Sequence, residues 1–213
     1  MERIWSSEKT ETSEGTEGTE FSATICQDEP MPSSTLICNA IFESRRFKEL
    51  AEKAVAQVPE AALFQVLDEE SNSIAMILKH ISGSLLSRWT DFLTSDGDKP
   101  SRDRESEFRN EPSDTKERLM ERWEASWRCL FAALESLQPE DLEKIITIRG
   151  EPCSVLEAIH RQMTHSAYHV GQIVFLAKHY AGSRWQSLSI PRGKSEEFRA
   201  APGRRGARQY WKR

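Results

Sequence analysis

The chain has 213 residues, 38% of them hydrophobic and 30% charged, with a formal net charge of −5. That length suits one domain with a sizeable core, and the acidic balance excludes a general nucleic-acid binder, which needs a basic face to neutralise several phosphates. No apolar run approaches the roughly 18 residues of a bilayer span, and the N-terminus lacks a signal-peptide core, so a cytoplasmic protein is expected.

Residues 1–34 are acidic and rich in Ser and Thr, with a low-complexity run from Ser13 to Glu20 that carries no apolar periodicity. A disordered extension is expected there. The folded domain is placed at 35–198, followed by a basic tail at 199–213 containing Arg204, Arg205, Arg208, Lys212 and Arg213, also expected to be disordered. The cysteines Cys26, Cys38, Cys129 and Cys153 form neither a C-x-x-C pair nor a zinc-finger spacing, which points to reduced thiols rather than a disulfide framework. Cys153, just ahead of a helix start, is read as an ordinary thiol rather than an activated one.

From Leu36 to about Val58, Ile37, Ala40, Ile41, Phe47, Leu50, Ala51 and Ala54 recur at three- and four-residue steps, and Pro59 ends this first amphipathic helix. The second helix is carried by Ile74, Ile77, Leu78, Ile81, Leu85, Trp89 and Phe92, with Gly83 as its weak point. The polar stretch Thr94 to Pro112 reads as a long connection rather than an element, of a length that often has a task. A third helix opens with Ser113 as N-cap and runs through Leu119, Trp123, Trp127, Leu130, Phe131 and Leu134 until Pro139. Trp123 and Trp127 are expected in the core. Ile145–Ile148 followed by Arg149-Gly150-Glu151-Pro152 predicts a short hairpin-like piece. The fourth helix carries Val155, Ile159, Met163, Val170, Ile173, Val174 and Ala177 and stops before Gly182. The fold class is all-α, an antiparallel four-helix bundle with a long connection between helices two and three.

His165 and His169 are four residues apart on the fourth helix, which stacks two imidazoles on one side. His80 lies on the second helix. At about 100° per residue all three fall on the flanks of their apolar stripes, and by that placement alone His80 is a surface or boundary histidine. Three imidazoles with one open position form a metal site of the catalytic kind. His160 and His179 are bystanders. Gln172, three residues from His169, is the candidate to orient it. Tyr168 turns away from both histidines and is expected to pack. Arg88, Arg102, Arg104 and Arg149 are candidates to bind an anionic substrate or cofactor. Leu188 to Gly193 is a candidate lid.

The lone histidine of Ser73-Ile74-Ala75-Met76-Ile77-Leu78-Lys79-His80, the following Arg88-Trp89-Thr90-Asp91-Phe92-Leu93, and the run His165-Ser166-Ala167-Tyr168-His169-Val170-Gly171-Gln172-Ile173 together resemble the DinB and YfiT-like superfamily of helical metalloproteins, over residues 36 to 198. The resemblance implies a bundle in which His80, His165 and His169 bind a divalent metal, zinc or nickel, in a solvent-open pocket. It further implies a thiol-dependent S-transferase that joins a low-molecular-weight thiol to an electrophilic substrate, and a homodimer. Two alternatives stay open: a metal-dependent hydrolase, and a non-enzymatic bundle clamped by its metal.

Overall fold

The computed structural model describes residues 33–200, so all of the expected extension but Ser33 and Ser34, which open the first helix, and all but the first two residues of the tail lie outside the described residues. The described chain is mostly helical. Its elements are α1 (Ser33–Val55), α2 (Glu60–Leu63), α3 (Ile74–Trp89), α4 (Lys116–Glu135), β1 (Ile145–Ile148), β2 (Glu151–Ser154), α5 (Val155–Ala181) and α6 (Ser195–Ala200). Three short 3-10 turns, Glu105–Phe108, Pro139–Glu143 and Gly182–Arg184, join them. The last helix takes in Arg199 and Ala200, which the sequence assigns to the tail. No helix among the described residues is long and apolar enough to cross a membrane.

Helix boundaries follow local chemistry. Ser73 caps α3, its hydroxyl accepting the Met76 N–H. α5 begins with a reciprocal capping box between Ser154 and Glu157 and ends at Gly182, whose φ of 55° lies in the left-handed region. The start of α4 differs from expectation by two residues: Thr115, not Ser113, is the N-cap, accepting the Arg118 N–H. Asp114 is drawn instead to the Lys79 ammonium, which holds Ser113 and Asp114 in the preceding turn. α3 likewise stops at Trp89, and Phe92 packs from the turn beyond it.

The four long helices meet in two principal pairs, α3 on α4 and α1 on α5, with further contact between α3 and α5 and between α1 and α4. Ile74, Leu78, Ile81, Leu85, Trp123, Trp127, Leu130, Leu134 and Ile173 are fully buried where these helices meet. The Trp123 and Trp127 rings stand 5.3 Å apart, edge to face, inside this core.

β1 and β2 form one antiparallel hairpin turned by Arg149 and Gly150, both at positive φ (57° and 76°). The Asp96 carboxylate accepts both of their N–H groups at 2.8 Å, and three backbone N–H bonds in all hold its pKa below the ordinary range. The stretch after α3 is therefore stitched to its surroundings. Gly97 N–H donates to Thr147 O at 2.8 Å, while Ser87 bonds Gly97 O and Lys99 N. Further on, the buried Lys79 ammonium donates to Arg109 O (2.7 Å) and to Asp114 (2.8 Å). These bonds lay the connection along α3, and that placement sets up the site.

Candidate metal centre

His80 comes from the middle of α3, and His165 and His169 from successive turns of α5. The ring centroids are 5.1 Å (His80 to His165), 4.8 Å (His80 to His169) and 4.6 Å (His165 to His169) apart, and all three pairs are edge to face. One ligand atom from each lies within 4.8 Å of the others. His80 is not a surface residue: it is 7% exposed. The helical wheel misplaces it because the connection, which a wheel does not contain, covers that flank of α3.

Proton positions follow from the partners. His80 Nδ1 is 3.0 Å from Glu107 Oε2, and a carboxylate can only accept, so Nδ1–H donates and the Nε2 lone pair faces inward. His169 Nδ1–H donates to Gln172 Oε1 at 2.8 Å, which frees its Nε2 in the same way. His80 Nε2 and His165 Nε2 face each other at 3.1 Å. Two nitrogens on a tetrahedral ion with bonds of about 2.0–2.1 Å sit about 3.3 Å apart, so little movement separates this spacing from a coordination edge. With His80 Nε2 unprotonated, His165 Nε2–H is the donor of that pair, and His165 Nδ1 is buried without a hydrogen-bond partner. Burial, and then His169 and His80, push the His165 imidazole down to about 3; burial also lowers His169. Both rings are therefore neutral at pH 7, as a metal ligand must be. The three-imidazole donor set and the aimed lone pairs of His80 and His169 together fit a divalent ion.

Glu107 is the residue that sequence reasoning missed. It sits on the 3-10 turn of the connection, is fully buried, and accepts from Arg102 Nε and Nη2, both at 2.8 Å, as well as from His80. Burial would raise its pKa, but these bonds prevail and hold it below the usual carboxylate range. The one available signal was Gly83, a glycine in the middle of a helix three residues from His80. It is no defect. A Cβ built there would overlap Glu107 Oε1 and stand 2.7 Å from its Cδ.

The arginine candidates part company. Arg102 is committed to Glu107 and its side chain is 9% exposed, so it is not available to a substrate. Arg88 is largely buried, donating Nη1–H to Gln162 at 3.2 Å, and burial lowers its pKa to about 10. Arg149 is exposed on the hairpin turn beside Asp98. Arg104 lies over the Phe108 ring. Tyr168 does not pack inside: it is 64% exposed, with its ring 4.8 Å from that of His169. It lines a shallow cleft of about 590 Å³ with Gly171, Gln172, Phe175, Ile77 and Leu67. The far wall is the loop 67–72, not the candidate lid Leu188 to Gly193, which does not border the cleft. His160 and His179 are exposed and apart from the cluster. The Cys153 thiol is pushed up by burial, as expected of an unactivated cysteine.

The fold and site define a mostly helical protein with a three-histidine cluster able to hold a metal. The chain belongs to the family described as Protein of unknown function (DUF1572), which matches residues 33–194. No curated protein matches it.

Proposed function

We propose that this chain is a metal-dependent enzyme of the DinB-like superfamily, built as a four-helix bundle, with His80, His165 and His169 as ligands of a zinc or nickel ion. DUF1572 is itself a DinB-like family, which supports the superfamily assignment. The observation that carries the proposal is the aiming of the rings. Glu107 and Gln172 occupy the outward nitrogens of His80 and His169, so that their lone pairs turn toward one another, and Gln172 and Tyr168 also border a cleft wide enough for a small molecule. Three protein ligands leave a position for a fourth, which separates a catalytic site from a closed structural one. A divalent ion there supplies Lewis acidity, making a thiol or a water a stronger nucleophile at neutral pH.

Of these two nucleophiles we favour the thiol of a small cofactor, attacking an electrophilic substrate in an S-transfer. The cleft beside His169 offers Tyr168, Phe175 and Leu67 as an apolar wall for such a substrate. Untagged protein analysed for elements should contain about one equivalent of zinc or nickel. That metal should be lost in His80→Ala and in His165→Ala/His169→Ala. Metal-loaded protein should then consume an electrophile in proportion to added low-molecular-weight thiol. A wild-type protein that takes up no metal on reconstitution refutes the proposal. Metal uptake without thiol dependence, but with hydrolysis, would replace S-transfer with the hydrolase reading.

A further inference from the structure

We infer that Glu107 is the positioning residue of the three-histidine site, and that Gly83 is present in α3 to seat it. The inference rests on the metal proposal for one of its two readouts only.

Glu107 and Gly83 are each unfavourable for stability where they stand. A glycine inside a helix is about 0.5–1 kcal/mol worse than alanine, and α3 carries one in mid-span with no turn or positive φ to require it. A fully buried carboxylate must be compensated by hydrogen bonds, and a buried ion pair such as Arg102–Glu107 is on its own a weak source of stability. Both features fall at one point, where the connection crosses α3. Their joint geometric product is one carboxylate oxygen held 3.0 Å from His80 Nδ1.

Arg102 fixes that carboxylate from behind. Its Nε–H reaches Oε1 and its Nη2–H reaches Oε2, so the carboxylate plane is set by a two-pronged contact rather than by a swivelling single bond. The Oε2 that Arg102 grips is the same oxygen that receives His80 Nδ1–H. Because the carboxylate is fully buried and pinned by Arg102 and His80, a methyl group at Gly83, which would overlap Oε1, is accommodated only by breaking those bonds. Displacing Glu107 would leave His80 free to carry its proton on Nε2, where it blocks the lone pair facing His165.

The experiment uses full-length protein labelled with ¹⁵N-histidine, comparing wild type, Glu107→Leu and Gly83→Ala, with Leu130→Ala as a control for general loss of stability. In metal-free protein, long-range ¹H–¹⁵N spectra should show wild-type His80 protonated on Nδ1. In both Glu107→Leu, which removes the acceptor, and Gly83→Ala, which displaces it, the proton should shift toward Nε2, and zinc affinity should fall about 10–100-fold with the helical content kept. Leu130→Ala should lower stability yet leave the tautomer and the zinc affinity as they were. Should Glu107→Leu not fold, Gly83→Ala carries the test, since alanine favours the helix and its Cβ meets the carboxylate first, with the flexible Arg122 Nη2 next at 3.3 Å. Retention of the Nδ1 proton in the folded variants overturns the inference, as does a zinc affinity equal to wild type. If wild type binds no zinc but the tautomer shifts as stated, the positioning role stands and the metal proposal fails.

Discussion

Metal-free protein should lose stability on mild acidification before its carboxylates begin to titrate, and the loss should trace to His165. The folded-state imidazole is pushed down to about 3 from an ordinary 6.5, chiefly by burial, then by His169 and His80, with Arg88 and Arg102 adding. A group with a depressed folded pKa takes its proton first in the unfolded chain. Stability is therefore complete above about pH 6.5 and declines as pH falls toward the folded value. Each pH unit inside that window is worth up to about 1.4 kcal/mol for a single such group. Between about pH 6.5 and 4.5 the ceiling is thus about 3 kcal/mol, and the ring's remaining contact with solvent reduces the expected loss to about 1–2 kcal/mol. His169 is lowered by burial and contributes with the same sign. Glu107 and Asp114 are held below their ordinary values, so their loss begins only at lower pH. Urea unfolding in EDTA, followed by the fluorescence of the buried Trp123 and Trp127, reads the slope directly. His165→Asn, which cannot titrate, should flatten it. A wild-type stability that stays level across the window, or an equal slope in His165→Asn, would refute the reasoning.

Lys79→Met removes an ammonium whose side chain is 6% exposed and leaves Asp114 and the Arg109 carbonyl without their donor; a loss of about 2–3 kcal/mol in urea unfolding is expected, with faster amide exchange confined at first to residues 109–114. Trp127→Ala should lower stability by about 3–5 kcal/mol, whereas Tyr168→Ala, at an exposed aromatic, should change it by no more than about 0.5 kcal/mol. Gln172→Ala frees His169 Nδ1, and zinc affinity measured by competition with a chelating dye should fall about tenfold.

The apolar periodicities of α1, α3, α4 and α5 were legible in the sequence because each helix buries one continuous stripe, and the hairpin because Arg149-Gly150 interrupts a β-branched run. The histidine pair was legible from spacing on a single helix. What could not be read there lies where two segments distant in sequence meet. His80 looked exposed because its cover comes from residues 102–108. Glu107 looked like any solvated acid in a polar stretch, since nothing local to it says that α3 has a gap of one side chain waiting. Arg102 looked free for an anion for the same reason. Thr115 displaced Ser113 as the cap because Asp114 had a partner 35 residues upstream.

The wide separation of the cluster's members along the chain bears on when it comes into being. His80 and His165 are 85 residues apart, and Glu107 and Arg102 lie between them. During synthesis the pair on α5 emerges last, after α3, α4 and the hairpin have left the ribosome. A chain lacking α5 has His80 and Glu107 but neither of the imidazoles that face His80. The three-histidine cluster is thus complete only once the last long helix docks, and a fragment truncated before Val155 lacks two of its three histidines.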